Sequence, residues 1–171
     1  DAECYYKRAK EGYEKELGRN DEKTLMATHF LNCCTGMGEE ERIEKLRDLV
    51  ARMKAALGED NETTLDTLSS LGSELMAIGD YEEARKVYEK CLLGKEKVLG
   101  EDHKDTLMTV NNLGSLYYKM KDYEKALEYY ERDLKGSEKT LGKTHPDTLM
   151  TVNNIGALYN DGMKDYEKAE E

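Results

Sequence analysis

Residues 106–142, TLMTVNNLGSLYYKMKDYEKALEYYERDLKGSEKTLG, decide the fold. Leu107, Val110, Leu113, Leu116 and Tyr117 recur at helical spacing and predict a first helix, A. Lys121-Asp122 breaks that pattern. Tyr123, Ala126, Leu127, Tyr130 and Leu134 then predict a second helix, B. Asp122 is placed to cap B, with Glu124 in its first turn where the helix dipole favours an anion. Gly142 is placed to close B with a positive φ.

Outward from this stretch the same phrase returns. Leu-Gly begins at positions 17, 57, 99 and 141, and Thr-Leu follows at 24, 64, 106 and 148, so the steps are 40, 42 and 42 residues. A period of this size marks stacked supersecondary units. Gly18, Gly58 and Gly100 occupy the place of Gly142. The A helices then start at equivalent positions, Asp21, Asn61, His103 and His145. Asp21 and Asn61 are good N-caps, and Pro146, the only proline, marks His145 as one because proline favours the first helical position. The histidines therefore read as caps and not as metal ligands, which need three or four convergent partners. Asp80-Tyr81-Glu82-Glu83 reads as a capping box.

The whole chain resolves into an all-α array of antiparallel pairs, about seven or eight helices in a right-handed α-α superhelix. A partial repeat covers 1–18, full repeats cover 24–58, 64–100 and 106–142, and a partial repeat covers 148–171. In the last copy the A helix is expected over 148–159 and a truncated B from Tyr166, joined by a turn one residue longer than in the other copies. Starting and stopping in mid-repeat is what a piece of a longer array would show.

Composition fits a thin solenoid. The hydrophobic fraction of 38% and charged fraction of 37% are lean for a compact globule but suit two layers with much exposed surface. A net charge of −11 repels nucleic acid and anionic membranes. No apolar run approaches the roughly 18 residues of a membrane span. No signal-peptide pattern is visible in the stretch that begins at Asp1. Cys4, Cys33, Cys34 and Cys91 include no CxxC pair, and adjacent helical cysteines make a poor disulfide. Reduced, buried thiols are expected, in the cytoplasm or another reducing compartment, with a redox or metal role as the alternative.

Leu113-Gly114-x-x-Tyr117, then Ala126 and Tyr130, resembles the tetratricopeptide repeat signature, and Leu71-Gly72, Ala84 and Tyr88 match it in the preceding copy. The 42-residue period, with TLGKTHPDTL at 140–149 and VNNIGALY at 152–159, resembles the kinesin-light-chain subtype. That resemblance covers nearly the whole chain and implies a protein-binding fold. It does not imply association with kinesin, because no heptad pattern for a coiled coil occurs here. Physics supports the same positions independently. Gly72, Gly114 and Gly156 let A approach B, Ala84 and Ala126 do so from the other side, and the tyrosines belong to the core.

The first full repeat departs from the pattern. Asn32 replaces the glycine, Arg42 the alanine and Thr35 the tyrosine, and Leu46 and Leu49 take over the core of B. Its helix pair is expected to be splayed or rotated relative to the next two, either as drift in a tolerant array or as a specialised junction or notch lined by His29, Phe30, Cys33 and Met37. Glycines inside B at 12, 94 and 136 each cost roughly 1 kcal/mol against alanine and suggest close approach of a neighbouring helix or a local bend.

The A helices are almost free of charge, so the acidic excess is expected on the B helices, loops and outer surface. The inner face instead carries Asn111, Asn112, Ser115 and Tyr118, then Asn153, Asn154 and Asn160, with Ser69, Ser70 and Ser73 in the copy before. Asparagine offers donor and acceptor on a short stem, so such a ladder suits the backbone of an extended peptide. Asn112 and Asn154 match a position that contacts ligand backbone in related peptide-binding repeats, as the resemblance implies. Lysines that clamp a terminal carboxylate in some members are missing. The alternative is that these residues form a solvated face or bond neighbouring helices. Met76, Met108 and Met150 add adaptable apolar contact or half-buried packing. Two functions remain: a module that binds a partner peptide or helix in its A-lined groove, or a structural subunit of a large complex using its convex or edge surface. An enzyme is not expected, since no phosphate loop, nucleophile-base pair or metal cluster occurs. No cofactor is expected either.

Overall fold

The computed structural model describes the backbone of residues 2–169 and the side chains of residues 2–162. Its helices are α1 (Ala2–Leu17), α2 (Glu22–Cys34), α3 (Glu39–Leu57), α4 (Glu62–Ala77), α5 (Tyr81–Leu99), α6 (Lys104–Lys119), α7 (Tyr123–Thr140) and α8 (Pro146–Ala169). Odd-numbered helices are the B type and even-numbered helices the A type. The chain forms two compact units, residues 1–87 and 88–171.

The repeated phrase has a physical basis at every turn between B and A. Gly18, Gly58, Gly100 and Gly142 all hold positive φ, from 92° to 98°, a region that favours glycine. Six residues on, the Thr24 hydroxyl donates to the Gly18 carbonyl at 2.8 Å and Thr148 does the same to Gly142 at 2.9 Å. Thr64 and Thr106 are fully buried in the same place with unbonded hydroxyls. The caps are as expected. Asp21 accepts from the Lys23 N–H at 2.9 Å, and Asn61 from Thr63 at 2.9 Å. His103 Nδ1 accepts from Asp105 at 3.3 Å, and His145 Nδ1 from Asp147 at 3.2 Å. Asp80 caps α5 by accepting from the Glu83 N–H, but the Glu83 side chain does not complete the box; its carboxylate meets the Arg47 guanidinium instead.

In residues 1–87, Leu25, Leu49 and Met53 form a core joined by Leu57. Each fully buried side chain of this kind contributes about 1.5–3 kcal/mol. α2 and α3 meet over far less of their length than α6 and α7 do. Asn32, in the glycine column, is buried. Arg42, in the alanine column, turns away from α2: its Nη1 donates to both Glu74 carboxylate oxygens at 3.0 Å, and Nη2 to the Met37 carbonyl at 3.2 Å.

In residues 88–171 the A–B pair closes by steric fit. A Cβ added at Gly114 would lie 2.6 Å from the Tyr130 ring, and one at Gly136 would lie 2.5 Å from Leu107. These two glycines are where close approach is required. Val110, Leu113, Leu116 and Ala126 fill the layer between. Tyr130 is buried and its hydroxyl donates to Ser115 at 3.1 Å. Tyr117 stacks on Tyr129 with centroids 5.4 Å apart, under the Lys125 ammonium. Gly12 in α1 has open space where Gly136 has Leu107, so the close-approach reading does not extend to it.

The expected turn between 159 and 165 does not form. α8 runs unbroken from Pro146 to Ala169. Helix propagation adds a hydrogen bond per residue once the helix is nucleated. The extension is also held from outside, by Tyr118 bonding Asp161 and by Gly162 lying against the Tyr123 ring. The side chains of the expected B segment from Tyr166 lie outside the described residues.

Candidate peptide-binding face

Helix α6 meets α5, α7 and α8, so a side chain still exposed on it faces solvent by construction. Met108 is such a residue, 54% exposed. The repeat aligns it with Met26, Asp66 and Met150, all exposed. Leu149, Val152 and Tyr159 on α8 are exposed for a different reason. Their counterparts Leu107, Val110 and Tyr117 are buried against α7, so these three are uncovered core positions and not part of a face.

The polar ladder divides in the same way. Asn112 is half-buried and Asn153 exposed, with neither engaged in a side-chain hydrogen bond. Asn160 is exposed and donates to Asp161 at 3.2 Å. Ser70 donates to the Asp66 carbonyl and Ser73 to the Ser69 carbonyl, each at 3.2 Å, bonds that run back along their own helix. Ser69 is half-buried. Ser115 is turned toward α7 by the Tyr130 hydroxyl, and Tyr118 is tied to Asp161. That carboxylate raises the Tyr118 pKa to about 12, mainly through their hydrogen bond, so the phenol stays neutral.

Asn111 departs most from expectation. It is 6% exposed, drawn inward by a buried carboxylate. Its Nδ2 donates to Asp133 Oδ2 at 2.7 Å and to Thr151 Oγ1 at 3.1 Å, and its Oδ1 accepts from Asn154 at 3.3 Å. Thr151 also bonds Asp133, and Ser137 donates to Asp133 Oδ1 at 2.9 Å. Asp133 is 4% exposed, an exception to the expectation that acid lies on outer surfaces. The signal was present in the repeat. Asp133 aligns with Ala9, Leu49 and Cys91, and buried Cys91 faces Thr109 as Asp133 faces Thr151. A charged residue in an otherwise uncharged column marks a site.

The first-repeat notch is partly assembled. Cys33 Sγ lies 3.9 Å from His29 Nε2, and Phe30 stacks on Tyr6 with centroids 5.3 Å apart. Burial lowers the His29 pKa, opposed by Asp66, and raises that of Cys33. The expectation of buried thiols holds for Cys91 alone. Cys4, Cys33 and Cys34 are exposed, because they fall in end turns of α1 and α2, and none of the four cysteines is in a disulfide.

Comparison with known proteins follows the repeat geometry. A tetratricopeptide repeat profile matches residues 63–136 and 105–171. The chain belongs to the tetratricopeptide repeat family. Its fold is all-α, of the α-α superhelix class, and similar to kinesin-light-chain-like repeats. BtubC (BKLC) from P. vanneervenii superposes with a TM-score of 0.79 at 22% identity, covering 98% of this chain and 70% of that one. The nearly identical TPR-like repeats of a Podosopora anserina protein described as a kinesin light chain give 0.76 at 21% identity, covering 98% and 81%. No curated protein matches in sequence. Tetratricopeptide repeats mediate protein–protein interaction, and their fold is a typical non-enzymatic scaffold. Among the described residues, no helix is long and apolar enough to cross a membrane.

Proposed function

We propose that this tetratricopeptide repeat chain is a non-catalytic interaction scaffold. It takes an extended peptide or helix of a partner protein along the A-helix face. The observation that carries this reading is Met108, an exposed methionine on a helix already packed by its neighbours, beside uncommitted Asn112. Methionine adapts to varied apolar side chains, and asparagine offers a donor and an acceptor to a peptide backbone. Asn153, Asn154 and Asn160 extend the polar part of that face, while Ser115, Tyr118 and Asn111 support it from behind; Ser69, Ser70 and Ser73 are the corresponding polar positions on an A helix within residues 1–87. The free thiols favour a reducing compartment such as the cytoplasm.

A peptide array probed with the purified chain and with a Met108→Asp, Asn112→Ala variant tests this. Binding should fall at least tenfold in the variant. Unchanged binding to every captured peptide would show that the A face is not used. A second reading, assembly through an edge, is favoured by the exposed Tyr5, Tyr13 and Leu17 of α1. Under it, Tyr5→Ser with Tyr13→Ser would abolish association while peptide capture survived.

A further inference from the structure

A cavity of about 180 Å³ lies among α6, α7 and α8, and the buried network forms its base. Asn111, Asp133 and Ser137 line that base, and exposed Met108 and Met150 stand at its rim. The size is informative. A cavity of about 150 Å³ holds one benzene-sized group, whereas whole small-molecule ligands occupy about 300–1,000 Å³. This space fits one side chain.

The chemistry of the base selects which one. Both Asn111 amide hydrogens are directed to Asp133 and Thr151, and the Ser137 hydroxyl hydrogen to Asp133. The base therefore presents no free donor. It does present acceptors. A carboxylate offers about four lone-pair sites. Asp133 receives two bonds at Oδ2 and one at Oδ1, which leaves Oδ1 able to accept another. Asn111 Oδ1 accepts once, from Asn154, and the Ser137 oxygen keeps its lone pairs. Among the described residues the hydrogen-bond partners of Asp133 are all neutral, so the buried carboxylate at the end of the cavity has no cation bonded to it. A buried charge is costly unless it is paired. Lys104 and Asp147, also at the rim, carry opposite charges and leave its net charge near zero.

We propose that this cavity is a pocket for a single lysine side chain of the bound partner. The three ammonium donors match the acceptors of Asp133, Asn111 and Ser137, and the alkyl stem lies between Met108 and Met150. The pocket rests on the A-face reading and supplies what that face lacks, a side-chain preference.

The probe is n-butylammonium, titrated against the isotope-labelled full chain and followed by NMR at the Asn111 side-chain amide and the Met108 and Met150 methyls. n-Butanol serves as the neutral control. Butylammonium should shift these signals saturably and at least tenfold more tightly than butanol. Asp133→Asn should weaken it at least tenfold, and so should Asp133→Cys, which installs the residue that Cys91 already provides in the same column of a folded repeat. Equal shifts with butanol, no saturation, or unchanged binding in the Cys variant would each overturn the proposal. The probe needs no partner, so a negative result here with a positive peptide array separates failure of the pocket from failure of the face.

Discussion

The pairs α2–α3 and α6–α7 keep the same beat and close by different physics. In α6–α7 a glycine and an alanine column bring the helices together, with Tyr130 lying on Gly114. In α2–α3 those columns hold Asn32 and Arg42, and the arginine reaches out to Glu74 and the Met37 carbonyl. The caps and the Leu-Gly stops are common to both. Helix boundaries in this chain are thus set by local turn chemistry, while the space between the helices is free to be filled sterically or tied by polar contacts.

The largest break in that comparison should come from Tyr130→Ala. It removes a buried ring from a steric joint and should cost about 3–5 kcal/mol. Hydrogen exchange of α6 and α7 amides would report it, while amides of residues 1–77 should stay protected. A loss below about 1 kcal/mol would mean that the glycine–tyrosine contact does not hold the pair.

A smaller effect sharpens the comparison within one column. Gly114→Ala forces a methyl against the Tyr130 ring and should destabilise by about 1–3 kcal/mol. Gly156 occupies the same column in α8 and has open space around it. Gly156→Ala should therefore stabilise, by up to about 1 kcal/mol, because alanine is the better helix former. Denaturation midpoints of the two variants should move in opposite directions. Movement in the same direction would show that propensity, and not contact, sets the preference for glycine here.

Most of the fold was legible because its signals are local. Gly142, Asp122 and His145 act through neighbours a few residues away, and their roles follow from the sequence alone. The unbroken α8 was not legible, since the contacts made by Asp161 and Gly162 are to Tyr118 and Tyr123, far away in sequence. The candidate face was legible as a polar, uncharged surface, but not in its division. Whether an asparagine serves a ligand or a neighbouring helix depends on what stands opposite. Asn111 meets Asp133 across 22 residues of chain, a contact no helical periodicity reports. Reading across the copies instead of along the chain would have flagged Asp133 beside Leu49 and Cys91.

The smallest expected effect lies in the column of Asn111 itself. The first full repeat places His29 there, and a histidine can titrate where an asparagine cannot. Burial pushes the His29 pKa below its ordinary 6.5, and Asp66 offsets part of the shift. The Nδ1 atom is buried without a partner, so protonation gains no hydrogen bond there to offset the lost solvation. The unfolded chain then binds the proton more readily than the folded one. Stability rises with pH wherever the unfolded state holds more protons. The contribution is therefore complete above pH 6.5 and declines as pH falls toward the depressed folded value. Exchange protection of the α2 amides should drop between pH 7 and pH 5 in the native chain. His29→Asn, which installs the residue of the α6 copy, should flatten that slope relative to the rest of residues 1–77. An undiminished slope in the variant would assign the pH dependence to other groups and leave His29 as packing alone.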